Sequence, residues 1–175
     1  MGDSTEAEER HAVFMRAAIA QAEMALNGGE IPVGCVFVNN ETGIIVATGH
    51  NETNETRNGT KHAELVAMDK LIFCSDCDPD LLSKCSLYVS CEPCIMCAAA
   101  IAKVGVKRVY FGCHNDRFGG NGSILPIHND VKYTPVELQY EVFTGMMKDE
   151  AIEVFQRFYE SENRRAPEAK RRKKG

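Results

Sequence analysis

The chain has 175 residues, 44% of them apolar and 26% charged, with a formal net charge of -5, which suits one domain with its own hydrophobic core. It has no apolar run of about 18 residues, which argues against a membrane-spanning helix, and its acidic opening, Met1-Gly2-Asp3-Ser4-Thr5-Glu6, is unlike a signal peptide. A nuclear or cytoplasmic location is therefore expected. The eight cysteines then read as metal ligands and buried thiols, not disulfides, and the sequon matches at Asn51, Asn54 and Asn58 read as a polar loop.

In chain order, Met15, Ile19, Ala22 and Leu26 recur at helical spacing from about Glu6 to Asn27, where Gly28-Gly29 stops the pattern. Val33 to Val38 and Ile44 to Thr48 are strand-like runs around turn residues Asn39 to Gly43, which predicts a hairpin. A polar loop from Asn51 to Thr60 leads into a helix from about His62 to Phe73. Cys74 to Lys84 reads as loop; its alternating Asp76, Asp78 and Asp80 imitate a calcium loop, but Leu81 and Leu87 stand where the Gly and the bidentate Glu belong. Ser86 to Cys91 predicts a buried strand, and Cys94 to Val104 a helix so apolar that it belongs in the core. Val106 to Cys113 predicts another strand, the Gly119-Gly120-Asn121-Gly122 segment a loop, Val136 to Phe143 a last strand, and Met147 to Phe158 a closing amphipathic helix. Strands separated by helices imply crossover connections, and so an α/β chain: a three-layer α/β/α sandwich with a mixed central sheet. The expected boundaries are a folded domain over residues 1–163 and a basic tail over 164–175. In the tail Arg164, Arg165, Lys170, Arg171, Arg172, Lys173 and Lys174 are offset only by Glu168, which suits a solvated end or a nucleic-acid arm.

The chemistry concentrates at two helix starts. His62-Ala63-Glu64 and Pro93-Cys94-Ile95-Met96-Cys97 offer one imidazole and two thiols, a set that leaves a zinc ion one open position, as catalytic zinc sites do. Cys94 and Cys97, three residues apart on a helix, can converge on one ion. Residues two apart do not, so His62 takes the metal and Glu64 faces the substrate. This His-x-Glu and Pro-Cys-x-x-Cys pairing is the signature of zinc nucleobase deaminases. One Zn2+ per chain is expected, supplying hydroxide near neutral pH, with Glu64 passing the proton to the ring and to the departing amine. A rival ligand set, Cys74 and Cys77 with Cys94 and Cys97, fits a structural zinc spacing but leaves His62 and Glu64 unexplained.

With those motifs, and with Gly29-Glu30-Ile31-Pro32-Val33-Gly34, Gly49-His50-Asn51, Leu87-Tyr88-Val89, Glu92-Pro93 and Phe111-Gly112, the chain resembles the tRNA-specific adenosine deaminases of the cytidine deaminase superfamily. The likeness runs from about Phe14 to Tyr159 and is strongest to catalytic subunits of the eukaryotic two-subunit enzymes. The resemblance implies a cytidine deaminase-like fold and conversion of adenosine to inosine at the tRNA wobble position, by attack of zinc-bound hydroxide on C6. It implies base or substrate contacts at Asn51 and Ala63, and a heterodimer with a related, non-catalytic deaminase-like subunit. It leaves open whether Asn115 or Asp116 meets the anticodon loop. A deaminase of free cytidine, deoxycytidylate or guanine would share the zinc chemistry, with the basic tail and the Gly29 to Gly34 stretch counting against it.

Overall fold

The structure, a computed structural model, describes residues 2–160. The end of the expected domain at 163 and the tail cations Arg164 to Lys174 lie outside them. The elements are α1 (Gly2–Asn27), β1 (Gly34–Asn39), β2 (Ile45–His50), α2 (Ala63–Ile72), β3 (Cys85–Cys91), α3 (Ile95–Lys103), β4 (Arg108–Cys113), β5 (Glu141–Thr144) and α4 (Lys148–Glu160). They form one sheet in the order β2-β1-β3-β4-β5. β1 runs antiparallel to β2 and β3, while β3, β4 and β5 are mutually parallel. This is the mixed α/β sandwich that the sequence predicts.

Period-two alternation sorts the strand residues between two cores. Phe37, Leu87, Val89, Val109 and Phe111 pack with Met68 and Leu71 of α2 and Ile101 of α3. Val36, Val38, Tyr88 and Tyr110 turn the other way, onto Phe14, Met15 and Ala18 of α1, and α4 packs beside α1. Because both faces are covered, β3 is buried along its whole length, Ser86 and Ser90 included, as expected of a strand inside a sheet with helices on both sides. On the α1 face an aromatic stack crosses three strands. Tyr88 and Tyr110 lie 4.6 Å apart at 5°, and Tyr110 and Phe143 lie 4.6 Å apart at 13°. His11 closes the stack over Tyr110 and places Nδ1 2.6 Å from the Tyr88 hydroxyl.

Three expectations are corrected. The last strand is short, because Val136–Leu138 makes a 3-10 turn after Pro135 and pairing starts only at Glu141. α3 is not enclosed: Cys97, Ala98, Ile101 and Ala102 are buried, while Ile95, Met96 and Ala100 are half-buried and Ala99 is exposed. Cys74 and Cys77 form a disulfide with each other, so these two are neither free thiols nor partners of Cys94 and Cys97 in a metal site.

Candidate active site

α2 and α3 start beside one another. Their N-cap residues are His62 (φ -75, ψ 157) and Cys94 (φ -67, ψ 168), and neither side chain caps its own helix. The carbonyls begin the helices instead, accepting from Val66 N and Ala98 N at 2.9 and 2.8 Å, which leaves the imidazole and the thiol for other work. One glycine makes this approach possible. A Cβ on Gly49 at the end of β2 would stand 2.2 Å from the Ala63 carbonyl, so only glycine lets β2 run against the first turn of α2.

His62 Nδ1 lies 3.5 Å from Cys94 Sγ and 3.6 Å from Cys97 Sγ, and the three ligand atoms fall within 4.8 Å of one another. Tetrahedral zinc bonds of about 2.3 Å to sulfur and about 2.0–2.1 Å to nitrogen separate those atoms by roughly 3.5–3.6 Å. The donors already stand at that spacing, and a soft thiolate pair with one imidazole suits zinc. The Cys94 thiol is primed for it. The hydrogen bond with Cys97, and after it those with His62 and the Cys97 backbone, outweigh burial and lower its pKa to about 4. His62 is raised, chiefly by its hydrogen bond with Cys94.

Glu64, in the first turn of α2, is 3% exposed and opens onto the same cavity as His62 and Cys94. Burial, above all, raises its carboxyl to about 7. The cavity measures about 1340 Å³, and its lining includes Phe118 and, from α4, Phe155 and Tyr159.

Asn51 lines this cavity but spends its amide on the backbone. Its Oδ1 accepts from Ala63 N at 2.9 Å and its Nδ2 donates to Ile31 O at 3.0 Å. Ala63 itself is fully buried and donates its N–H to Asn51, a bond that anchors the start of α2 and leaves the Asn51 amide one further hydrogen and lone pair. Asn115 and Asp116 both line the cavity. Asn115 Oδ1 accepts from Phe118 N at 3.1 Å, whereas Asp116 is exposed.

Two residues that sequence reasoning left without a role shape the site. Glu30, 2% exposed, accepts from Thr53 Oγ1 and from the N–H groups of Asn54 and Glu55, at 3.0, 2.9 and 2.8 Å, and so ties down the loop that follows β2. Glu92, 1% exposed, accepts from Asn115 N at 3.0 Å, Asn121 N at 2.9 Å, Ser123 N at 3.1 Å and the Ser123 hydroxyl. Burial pushes Glu92 up, but these donors outweigh it and hold the carboxyl below its usual range. Gly119 is part of the same arrangement, since a Cβ there would stand 2.5 Å from Glu92 Oε1. A glutamate next to Pro-Cys-x-x-Cys, with a glycine-rich loop downstream, is the signal that could have found it.

The model of the cytidine and deoxycytidylate deaminase zinc-binding region matches residues 8–113, and the chain belongs to that family of deaminases. Within it the most telling relatives are tRNA-specific adenosine deaminases. The Xenopus tropicalis tRNA-specific adenosine deaminase 2 is 42% identical over 92% of this chain and 95% of its own length. The Danio rerio protein of the same name is 43% identical over 91% and 75%. The Schizosaccharomyces pombe tRNA-specific adenosine deaminase subunit tad2 is 40% identical over 91% of this chain, which spans only 40% of that relative. A structure solved in work on A-to-I editing by tRNA:A34 deaminases at the wobble position of transfer RNA aligns at a TM-score of 0.67 and 28% identity, covering 81% of this chain and 97% of that one. A guanine deaminase from Nitrosomonas europaea aligns at 0.72 with 19% identity, covering 86% and 85%, a likeness of fold alone.

Proposed function

We propose that this protein is a hydrolytic deaminase that converts adenosine to inosine at the wobble position of tRNA anticodons. The observation that carries the reading is that the His62, Cys94 and Cys97 donors converge, and that His62, Cys94 and the buried Glu64 carboxylate line one cavity. Relatives matched over more than nine-tenths of this chain and named tRNA-specific adenosine deaminases support the substrate, and the structure from work on A-to-I editing at the wobble position supports the site. The cavity, at about 1340 Å³, exceeds the roughly 300–1,000 Å³ of ordinary small-molecule pockets, which favours a nucleotide within a strand over a free base or nucleoside.

When bound by His62, Cys94 and Cys97, zinc would supply a water ionised near neutral pH. Glu64 does the proton work. With its carboxyl raised to about 7, it can carry one proton from the attacking water to a ring nitrogen of the base and a second, from the hydroxyl so added, to the departing amine, because a group that titrates near the working pH serves both as acid and as base. Cys94 is the N-cap of α3, and the dipole of that helix start favours its thiolate.

A deaminase-like partner subunit completes the proposal. It is supported by the half-buried Ile95 and Met96 of α3 and by Phe73, 80% exposed at the end of α2, and by the name of the fission-yeast relative, which calls it a subunit. Work in the nucleus or cytoplasm suits such a substrate, and among the described residues no helix is long and apolar enough to cross a membrane. The test is purified protein, with and without its partner, offered adenosine, cytidine and whole tRNA, with inosine detection and metal analysis. Inosine from tRNA alone and one zinc per chain are expected; turnover of free bases or nucleosides with none of tRNA would overturn the reading.

A further inference from the structure

Of the six free cysteines, Cys94 and Cys97 are the metal donors, and Cys35 and Cys85 are closed into the core between the sheet, α2 and α3. Cys91 and Cys113 have no part in the chemistry above, yet they meet beside it. They are register partners at the ends of β3 and β4. Period-two alternation puts Cys91 in the row of Leu87 and Val89 and Cys113 in the row of Val109 and Phe111, so both thiols leave the sheet on one face. There they cluster with Ala151 of α4, and chiefly through the hydrogen bond between them Cys91 is raised and Cys113 lowered. Neither is sealed in. At 8% and 6% exposed, both line the cavity onto which Glu64 opens.

We propose that Cys91 and Cys113 form a modification site in the cavity wall, which a hydroperoxide closes into a disulfide and a thiol reductant reopens. Aligned residues on neighbouring strands stand about 4.8 Å apart, inside the roughly 4.4–6.8 Å between Cα atoms that a disulfide spans, so the strands can keep their register. The Cys113 sulfur attacks one peroxide oxygen and becomes a sulfenic acid; the O–O bond breaks, and the other oxygen leaves as water or an alcohol with the thiol proton. The Cys91 sulfur then attacks the sulfenic sulfur, the S–S bond forms, and the sulfenic hydroxyl leaves as water with the second thiol proton. Two thiols lose two electrons and the peroxide gains them. Closure reaches the site because Cys91 runs directly into Glu92, Pro93 and Cys94, and Glu92 N donates to Cys113 O at 2.8 Å. Its effect on turnover, though not the disulfide itself, rests on the deaminase reading above.

The experiment exposes full-length, zinc-loaded protein with its partner subunit to a small excess of hydrogen peroxide, and reads peptide maps, zinc content and inosine formation from tRNA. A linked Cys91–Cys113 peptide should appear with zinc still full. Turnover should fall by roughly 10–100-fold, the scale of a small misplacement of reacting groups, and dithiothreitol should restore it. Cys91→Val and Cys113→Ala, tested separately, should keep the untreated rate and lose the sensitivity. Absence of the linked peptide at peroxide doses that inactivate the protein, activity lost only in step with zinc, variants as sensitive as wild type, or a linked peptide with undiminished turnover would each overturn the inference. No inosine from untreated wild type would bring down the deaminase reading instead, and the peptide map would still decide the disulfide.

Discussion

The loop from Asn51 to Thr60 and the loop from His114 to Ser123 flank the cavity, and each is tied to a buried glutamate, yet the two do different things. Glu30 holds the first loop through Thr53, Asn54 and Glu55. That loop runs from Asn51, whose Oδ1 holds Ala63 N, into His62 itself. Glu92 holds the second through Asn115, Asn121 and Ser123, residues that lead to the exposed Asp116, Arg117 and Phe118 at the rim. A buried carboxylate that accepts several N–H bonds replaces the order that a loop lacks from regular secondary structure. The difference teaches that the first loop serves the floor of the site and the second its rim. Damage to the first should reach the chemical step; damage to the second should reach substrate binding.

The largest effect sharpens the comparison by removing what both loops surround. Glu64→Gln should keep zinc and fold while turnover falls by ~10²–10⁴-fold, the typical share of general acid–base transfer, as single-turnover inosine formation with metal analysis would record. Next in size is Glu30→Gln, together with Asn51→Ala. Each should lower kcat by roughly 10–100-fold with little change in KM, the scale of losing a partner that orients metal ligands. If either variant raised KM instead, the division between floor and rim would fail.

A smaller effect distinguishes the loops by pH. Glu92 is held below its ordinary range, so its stabilising contribution is in full above the unfolded value of about 4.3 and fades as pH falls through the folded one. Urea midpoints of wild type and Glu92→Gln should differ at pH 7 by about 1–3 kcal/mol, the cost of weakening a buried acceptor shared by several donors, and should converge in acid. A gap that widened below pH 4 would show that another group carries it. The smallest effect lies away from both loops. Ending the chain at Asn163 should leave zinc and pocket chemistry unchanged and flatten the salt dependence of tRNA affinity by about two to four contacts, each worth roughly 0.7–0.9 in slope. Identical slopes would leave the tail without a role in binding.

The floor was legible in the sequence because its chemistry is local: His62 and Glu64, and Cys94 and Cys97, sit two and three residues apart at helix starts. The sheet was legible because strands covered on both faces read as apolar runs. The rim was not. Glu30 and Glu92 look like surface charges in sequence, and only the fold brings each to donors more than twenty residues away. Asn51 could be placed at the site but not aimed, since its bond to Ala63 needs the return of α2 against β2. Cys74 and Cys77 were misread as thiols because their pairing depends on the local turn, and α3 was misread as enclosed because an apolar helix looks the same whether the chain or something else covers it.

The chain has no tryptophan and five tyrosines, and the stack formed by Tyr88, Tyr110 and Phe143 lies on the sheet face away from the metal ligands. Its optical signature is therefore separate from catalysis. Near-ultraviolet circular dichroism, which vanishes when fixed aromatic packing is lost, will here carry a contribution from the rings held between α1 and the sheet. A variant at the cavity that keeps this band has an intact far face whatever its turnover, while His11→Ala should alter the band and leave the active centre as it was. The protein thus carries a spectroscopic gauge of its own fold, on the side where no substrate need be present to read it.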